Sequence, residues 1–218
     1  MRKIVSIIAF IALVATSVNL ASCGGGSTEG AKNDSVNQIT SGAEIDLGLP
    51  SGKIWASCNV GADSPEKLGD NFAWGEVEKK DSFPKKDDNG YKHLGTLIGD
   101  DISATEYDAA TKVMGADWKM PNQNDFKELI DNCKWEWITY KGTVGYKVVG
   151  SNGNSIFLPA TGYCDPVLCN QGISGYYWSS TDDGGFNAVT LNFAKGKRSI
   201  NKELRYHGQA IRAVKDKK

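Results

Sequence analysis

Cysteine and histidine side chains are the first candidates for chemistry in this chain, which has five cysteines and two histidines. A nucleophilic thiol or hydroxyl needs a histidine beside it and an acid that orients that histidine. Neither His93 nor His207 lies in a recognisable motif of this kind, and the sequence has no phosphate-binding loop, GxSxG turn or HExxH helix. The residue types favour a protein that is not an enzyme, with no catalytic residue and no cofactor, and they place His207 in an exposed turn.

Metal ligation is not supported by the spacing of the candidate ligands. Zinc sites use paired CxxC cysteines or cysteines with nearby histidines, and neither pattern occurs. Calcium needs six or more oxygen ligands from a loop of defined spacing. Three short clusters lack that spacing and are typical of solvated turns: Asp87-Asp88-Asn89, Asp100-Asp101 and Asp182-Asp183. We therefore predict no metal site.

The first residues have the pattern of a cleaved signal peptide. Arg2 and Lys3 precede an uncharged apolar stretch over residues 4–18. A membrane-spanning helix needs about 20 apolar residues. Because three glycines at 24–26 follow the stretch closely, a permanent transmembrane helix is the weaker interpretation.

Cys23 ends the tetrapeptide LASC at residues 20–23, which resembles the lipobox of bacterial lipoproteins. In that motif small residues admit a signal peptidase to a cysteine that carries diacylglycerol, usually with a further acyl chain such as palmitate. The alternative is an ordinary signal peptide cut near Ala21 or Ser22, which would leave Cys23 as a thiol. We predict that residues 1–22 are removed and that Cys23 is the lipid attachment site, since two or three acyl chains anchor far more firmly than one.

The predicted anchor and the charge balance define the partners. The leader contains two of the 25 basic residues and none of the 26 acids, so the mature chain is slightly acidic and not suited to nucleic acid. The membrane is the expected partner through the lipid, with a glycan or a protein as the ligand. The expected location is the cell envelope, at the outer membrane. The sequence does not distinguish its periplasmic side from its surface side.

Four further cysteines lie in a compartment that permits disulfides. Cys164 and Cys169 flank a short turn-like segment whose ends could meet. Cys58 and Cys133 are either a second bridge or small apolar core residues.

The elements that must position these residues begin after a flexible tether at 23–42, whose sequence is polar and has no apolar period. Ser103 and Glu106 have capping-box spacing and predict a helix over 104–114. Asn122 is expected to cap a second helix with Asp125 in its first turn. That helix presents one apolar stripe to the core: Phe126, Leu129, Ile130 and Cys133.

Alternating apolar and polar residues predict strands in the rest of a domain over 43–215. The alternation begins at 43–47 and 53–58 and becomes frequent after Trp135 and Trp137. Later strands are predicted over 146–149, 155–159, 176–180, 188–193, 197–201 and 209–214. The C-terminal half is therefore expected to be an antiparallel meander, which makes the fold class α+β.

A series of segments follows in order along nearly the whole domain. They are 46–52 (DLGLPSG), 55–62 (WASCNVGA), 72–76 (FAWGE), 118–121 (WKMP), 126–133 (FKELIDNC), 157–160 (FLPA), 162–163 (GY), 177–180 (YWSS) and 211–214 (IRAV). Together they resemble the Fibrobacter succinogenes major paralogous domain. That family is common in lipoproteins of Bacteroidota and is related to the C-type lectin-like and sulfatase-modifying-factor folds.

The resemblance implies two helices packed on an antiparallel sheet, a first strand paired with the last, and long loops over one end of the sheet. It places Trp118 and Trp178 in the core. The calcium and sugar motifs of lectin-like domains are poorly matched by residues 165–167 (DPV) and 178–180 (WSS). Cys164 and Cys169 lack the surroundings of the reactive cysteine pair in sulfatase-modifying enzymes, so a structural role suits them better.

These features predict a lipid-anchored binding or interaction module of the cell envelope. Aromatic and acidic side chains of the loops are expected to form its ligand surface: Trp74, Glu76, Tyr163, Tyr176, Asp182 and Asp183. The alternative is a structural or assembly component of an envelope complex, and an enzyme is the third hypothesis. A concave polar pocket would favour ligand binding, whereas a contiguous exposed aromatic patch would favour assembly.

Overall fold

Two helices and eleven strands make up the described part of the chain. The computed structural model describes residues 39, 43–80, 82–83, 93 and 95–218, which fall within one unit over 34–218. The predicted signal peptide, Cys23, the tether apart from Ile39, and the cluster at 87–89 lie outside the described residues. Within the described ranges, no helix is long and apolar enough to cross a membrane.

Strands outnumber helices in the described part of the chain. The helices are α1 (Ala109–Met114) and α2 (Gln123–Asn132). The strands are β1 (Glu44–Asp46), β2 (Ile54–Ala56), β3 (Lys134–Tyr140), β4 (Thr143–Val149), β5 (Ser155–Pro159), β6 (Tyr163–Cys164), β7 (Leu168–Cys169), β8 (Ser174–Asp182), β9 (Asn187–Ala194), β10 (Lys197–Leu204) and β11 (Val214–Lys215). This mixture of two helices with antiparallel sheets agrees with the predicted α+β class at the coarse level.

Two antiparallel meanders form the C-terminal half, as the alternation predicts. One sheet has the order β3-β4-β5 and the other has the order β10-β9-β8. The β3–β4 turn places Lys141 and Gly142 at φ values of 45° and 85°. Two successive residues of positive φ are typical of the hairpin turn that matches the natural twist of the strands.

The beginning and the end of the domain meet in a third sheet of order β1-β2-β11. Trp55 of β2 lies between Ile45 and Val214, so the last strand pairs with the second strand and not with the first. The strand predicted over 209–214 is reduced to its last residue. Its earlier part makes isolated bridges to different partners, with Gln209 facing Phe72 and Ala210 facing Tyr177.

The second helix begins as the sequence predicts. The side chain of Asn122 accepts hydrogen bonds from the N–H groups of Asn124 and Asp125, and Asp125 bonds back to the N–H of Asn122. Phe126 and Leu129 are fully buried, and Ile130 and Cys133 pack against the same hydrophobic cluster. The predicted apolar stripe is therefore confirmed.

The first helix begins later than its predicted start. Asp108, and not Ser103, is its N-cap residue. The buried Asp108 carboxylate accepts hydrogen bonds of 2.8–3.1 Å from the N–H groups of Ala104, Ala110, Thr111 and Met120. Because Met120 lies beyond the helix, a tertiary contact selects the start and overrides the local capping-box spacing.

Replacing Asn122 by alanine is expected to lower the free energy of unfolding by about 1 kcal/mol, because two N–H groups at the helix start lose their acceptor. Urea denaturation followed by tryptophan fluorescence measures this. Asn124→Ala is the matched control, since Asn124 is exposed and its side chain is not the cap. Equal losses in the two variants would contradict the capping role.

Tryptophan side chains occupy the centre of the two main hydrophobic clusters. Trp55 belongs to the first cluster, and Trp74 and Trp178 belong to the second, all three with no exposed surface. The indole N–H of Trp178 donates to the carbonyl of Phe72 at 2.8 Å. The core position implied for Trp178 is thus confirmed, whereas Trp118 is only partly buried against the second cluster.

Arg212 is fully buried, and none of its hydrogen-bond acceptors among the described residues is acidic. Its guanidinium makes five hydrogen bonds of 2.7–3.2 Å, two to Asn59 Oδ1 and the others to the carbonyls of Ala56, Ser57 and Phe157. Burial lowers the pKa of Arg212 from its usual value. Neutral acceptors alone therefore replace the water that this cation loses on folding.

Candidate functional site

Arg205 contacts Trp74 and Asp182, two of the residues predicted to face a ligand. Its buried guanidinium forms an ion pair with Asp182 and lies 4.6 Å from the centroid of the Trp74 ring. It also donates to the carbonyls of Asn187 at 3.0 Å and Thr96 at 2.8 Å. The expectation that Trp74 and Asp182 face a ligand is therefore corrected, because both side chains are internal contacts of Arg205.

Glu76 lies beside this centre and borders a small cavity. The side chain is buried and forms an ion pair with Lys80. The cavity has a volume of about 260 Å³ and is also lined by His93, Glu106 and Tyr107. Among the described residues no group of three or more histidine, cysteine or acidic side chains is arranged to hold a metal ion.

Tyr163 and Tyr176, which are both predicted to form the ligand surface, lie next to each other. Their ring centroids are 4.8 Å apart, and the ring of His207 lies 5.1 Å from that of Tyr163. Burial raises the pKa of Tyr163. The two tyrosines thus form an aromatic pair, but the imidazole beside them comes from a segment that local patterns placed in an exposed turn.

His207 is buried between two acids. Its Nε2 atom lies 3.6 Å from Asp165 Oδ2, and its Nδ1 atom lies 3.4 Å from Glu203 Oε2. The prediction of an exposed turn is therefore wrong, because the β6–β7 hairpin covers the ring through hydrogen bonds between Cys164 and Gly208. Sequence reasoning missed this cluster, since its members come from three separate segments with no shared motif.

Asp183 remains near the surface. Its carboxylate pairs with Lys202 at 2.6 Å, and the lysine side chain is 65% exposed. The carboxylates of Asp182 and Asp183 therefore have different environments although they are adjacent in the sequence. Only Asp183 keeps the solvated character that the acidic pair suggests.

The four described cysteines have free thiols, so the disulfide candidates Cys164 and Cys169 are not bridged in this structure. In the β6–β7 pair, Cys164 faces Leu168 and Cys169 faces Tyr163. Successive side chains of a strand point to opposite faces, so this register separates the two thiols. Burial raises the pKa of Cys133 to about 11, which agrees with the role of a small apolar core residue.

Cys58 lies in a larger groove with a volume of about 780 Å³. The groove is bordered by β2 and the loop after it, by the end of α1 and by the β3–β4 turn. Its apolar and aromatic lining includes Ala56, Val113, Met114, Trp118 and Tyr140. This groove has the size of a ligand site and is open to solvent.

Most polar side chains of the groove are already engaged within the chain. Asn59 accepts from Arg212 and donates to the carbonyl of Leu68. Lys141 lies 3.8 Å from Glu66, and Glu44 forms an ion pair with Lys215. The groove therefore offers apolar contact more than free hydrogen-bonding groups.

No sequence pattern indicates this groove, because its walls come from four separate segments, which lie within 39–44, 56–65, 113–118 and 140–141. Comparison with known proteins adds no relative. No family model matches the chain, and neither a curated protein nor a solved structure matches it.

Proposed function

We propose that this chain is a lipid-anchored binding module of the bacterial cell envelope, held at the outer membrane by acylated Cys23. The lipobox-like tetrapeptide at 20–23 and the basic, apolar leader support the anchor. The groove carries the binding role, since a concave site lined by aromatic and aliphatic side chains is the usual form of a ligand site.

We also propose membership of the Fibrobacter succinogenes major paralogous domain family, with its C-type lectin-like arrangement. Two observations support it. The segments that resemble the family run from 46 to 214, and the two ends of the domain meet in one small sheet. Fold alone does not fix a ligand, so the binding role depends on the groove and not on the resemblance.

The binding role is tested by screening the full chain, in detergent, against arrays of bacterial glycans and of short peptides. Val113 is 48% exposed and lines the groove, so Val113→Lys should remove the hit by placing a charge in its wall. We expect a loss of at least about tenfold, since a lysine ammonium would lose hydration against an apolar ligand. An empty screen, or a hit that Val113→Lys does not weaken, would contradict the binding role.

Ile173→Lys is the matched control. Ile173 is an aliphatic side chain, 64% exposed, outside the groove, so this variant should keep the hit. The control also tests the second candidate function, a part in an envelope assembly. Val167, Leu168 and Ile173 are exposed aliphatic residues of the β6–β7 hairpin and the turn after it. Association that Ile173→Lys abolishes and Val113→Lys preserves would favour assembly.

A further inference from the structure

Strand β10 forms a free edge of its sheet. The sheet has the order β10-β9-β8, so β10 bonds to another strand on one side alone. Among the described residues, no backbone group outside this sheet bonds to the main chain of residues 197–203, and five of these seven residues are exposed. An exposed edge presents a row of unpaired N–H and C=O groups, which can pair with a further strand.

The edge of the other meander is less accessible. Strand β3 also ends its sheet, but five of its seven residues are half-buried. Trp135 and Trp137 of this strand pack against the first hydrophobic cluster. Of these two edges, β10 therefore offers its main chain more openly to another molecule.

The side chains along β10 are mostly basic. Four cations, here called the basic row, lie on the strand or in the turn before it: Lys195, Lys197, Arg198 and Lys202. The strand has one acid, Glu203, which lies beside His207. Within the described part of the chain, Lys202 pairs with Asp183, whereas the three other cations of the basic row form no ion pair. This edge is therefore positive on a chain whose net charge is slightly negative.

The basic row decides which kind of strand can pair with β10. Opposite charges on facing strands stabilise the pair, and like charges destabilise it. Pairing with β10 of a second copy would bring two basic rows together, which is one way in which proteins protect an exposed edge from self-association. An extended segment with acidic side chains meets no such repulsion.

We propose that the β10 edge is an interaction surface that binds an extended acidic segment of a partner protein by strand addition. In this mode the hydrogen bonds of the main chain supply affinity, and the side chains supply specificity. Lys197 and Arg198 would select acidic side chains. The surface is separate from the groove, whose lining includes no residue of β10, so the inference does not depend on the proposed function.

A labelled peptide of alternating glutamate and threonine tests the surface, with a length that matches the eight residues of β10. Fluorescence anisotropy measures its binding to the full chain in detergent. We expect this peptide to bind and the same peptide with lysine for glutamate not to bind. Hydrogen exchange read by mass spectrometry should slow several-fold at 197–204 when the acidic peptide is bound, because strand addition protects the outer N–H groups of β10.

Charge reversal makes the result specific. Lys197→Glu with Arg198→Glu should weaken binding of the acidic peptide at least about fivefold, since two attractions become repulsions. Lys67→Glu with Lys112→Glu is the matched control, because it changes the net charge equally at two exposed lysines outside β10. The control should bind the peptide as the original chain does.

Binding of the acidic peptide, slowed exchange at 197–204 and a loss confined to the β10 variant together support the proposal. No binding overturns it, and so does binding that leaves the exchange at 197–204 unchanged or that both double variants weaken equally. Slowed exchange that appears without peptide as the protein concentration rises would assign the edge to a second copy instead. Binding that Val113→Lys removes would place the peptide in the groove, which overturns this proposal and leaves the binding role intact.

Discussion

Arg212→Met should lower the free energy of unfolding by about 3–5 kcal/mol, because it leaves several buried acceptors without a donor. Asn59 Oδ1 and the carbonyls of Ala56, Ser57 and Phe157 all point at this guanidinium. Removing the buried cation recovers part of its desolvation cost. The unpaired acceptors outweigh that gain, since each costs about 1–3 kcal/mol and methionine offers none of them a donor.

Urea denaturation measures the loss, and Arg198→Met is its matched control. Arg198 is exposed on β10, with its guanidinium 5.6 Å from the Trp135 ring, so its loss should stay within about 1 kcal/mol. Arg212→Lys should also lower the free energy of unfolding, because an ammonium keeps the charge but not the planar set of five donors. An Arg212→Met chain as stable as Arg198→Met would show that these hydrogen bonds contribute little net stability.

Asp182→Asn should also lower the free energy of unfolding by about 3–5 kcal/mol, because it strands a buried cation. The side chains of Arg205 and Asp182 are 1% and 5% exposed, so water cannot replace the lost counter-charge. The contact of the guanidinium with the Trp74 ring remains and offsets only about 1–2 kcal/mol. The measurement is again chemical denaturation of the full chain.

Asp183→Asn provides the control for this prediction. It changes the neighbouring residue in the same way, but Asp183 pairs with a lysine that is 65% exposed, so the cost should be about 0–1 kcal/mol. The double variant Asp182→Asn with Arg205→Met should recover part of the stability, since both charges are then removed. Equal stability of Asp182→Asn and Asp183→Asn would restore Asp182 as a candidate for ligand contact.

The two helices show how far local patterns extend. The α2 start follows from Asn122 and Asp125, because both halves of the capping box lie within one turn of the chain. Ser103 and Glu106 have comparable spacing, yet α1 is capped by Asp108, which also accepts a hydrogen bond from the N–H of Met120. The start of a helix is predictable when all the capping partners are local. The prediction fails when a distant backbone group also bonds to the capping residue.

The sequence by itself determined the period-2 strands of both meanders and the apolar stripe of α2. Each depends on which face of a single element is apolar, and the spacing of the apolar residues, two in a strand and three or four in a helix, records that face directly. The same local information assigned Trp74 and Asp182 to a ligand surface, although both side chains are buried and contact Arg205.

Only the tertiary structure decided what those faces meet. Arg212 finds an acceptor at Phe157, Arg205 finds Asp182, and the groove joins residues near 58, 114 and 140. These partners belong to segments that are brought together by packing, and a single side chain's type does not specify its distant neighbour. Local periodicity therefore determines the elements, whereas the fit between elements creates the buried cations, the enclosed His207 and the groove.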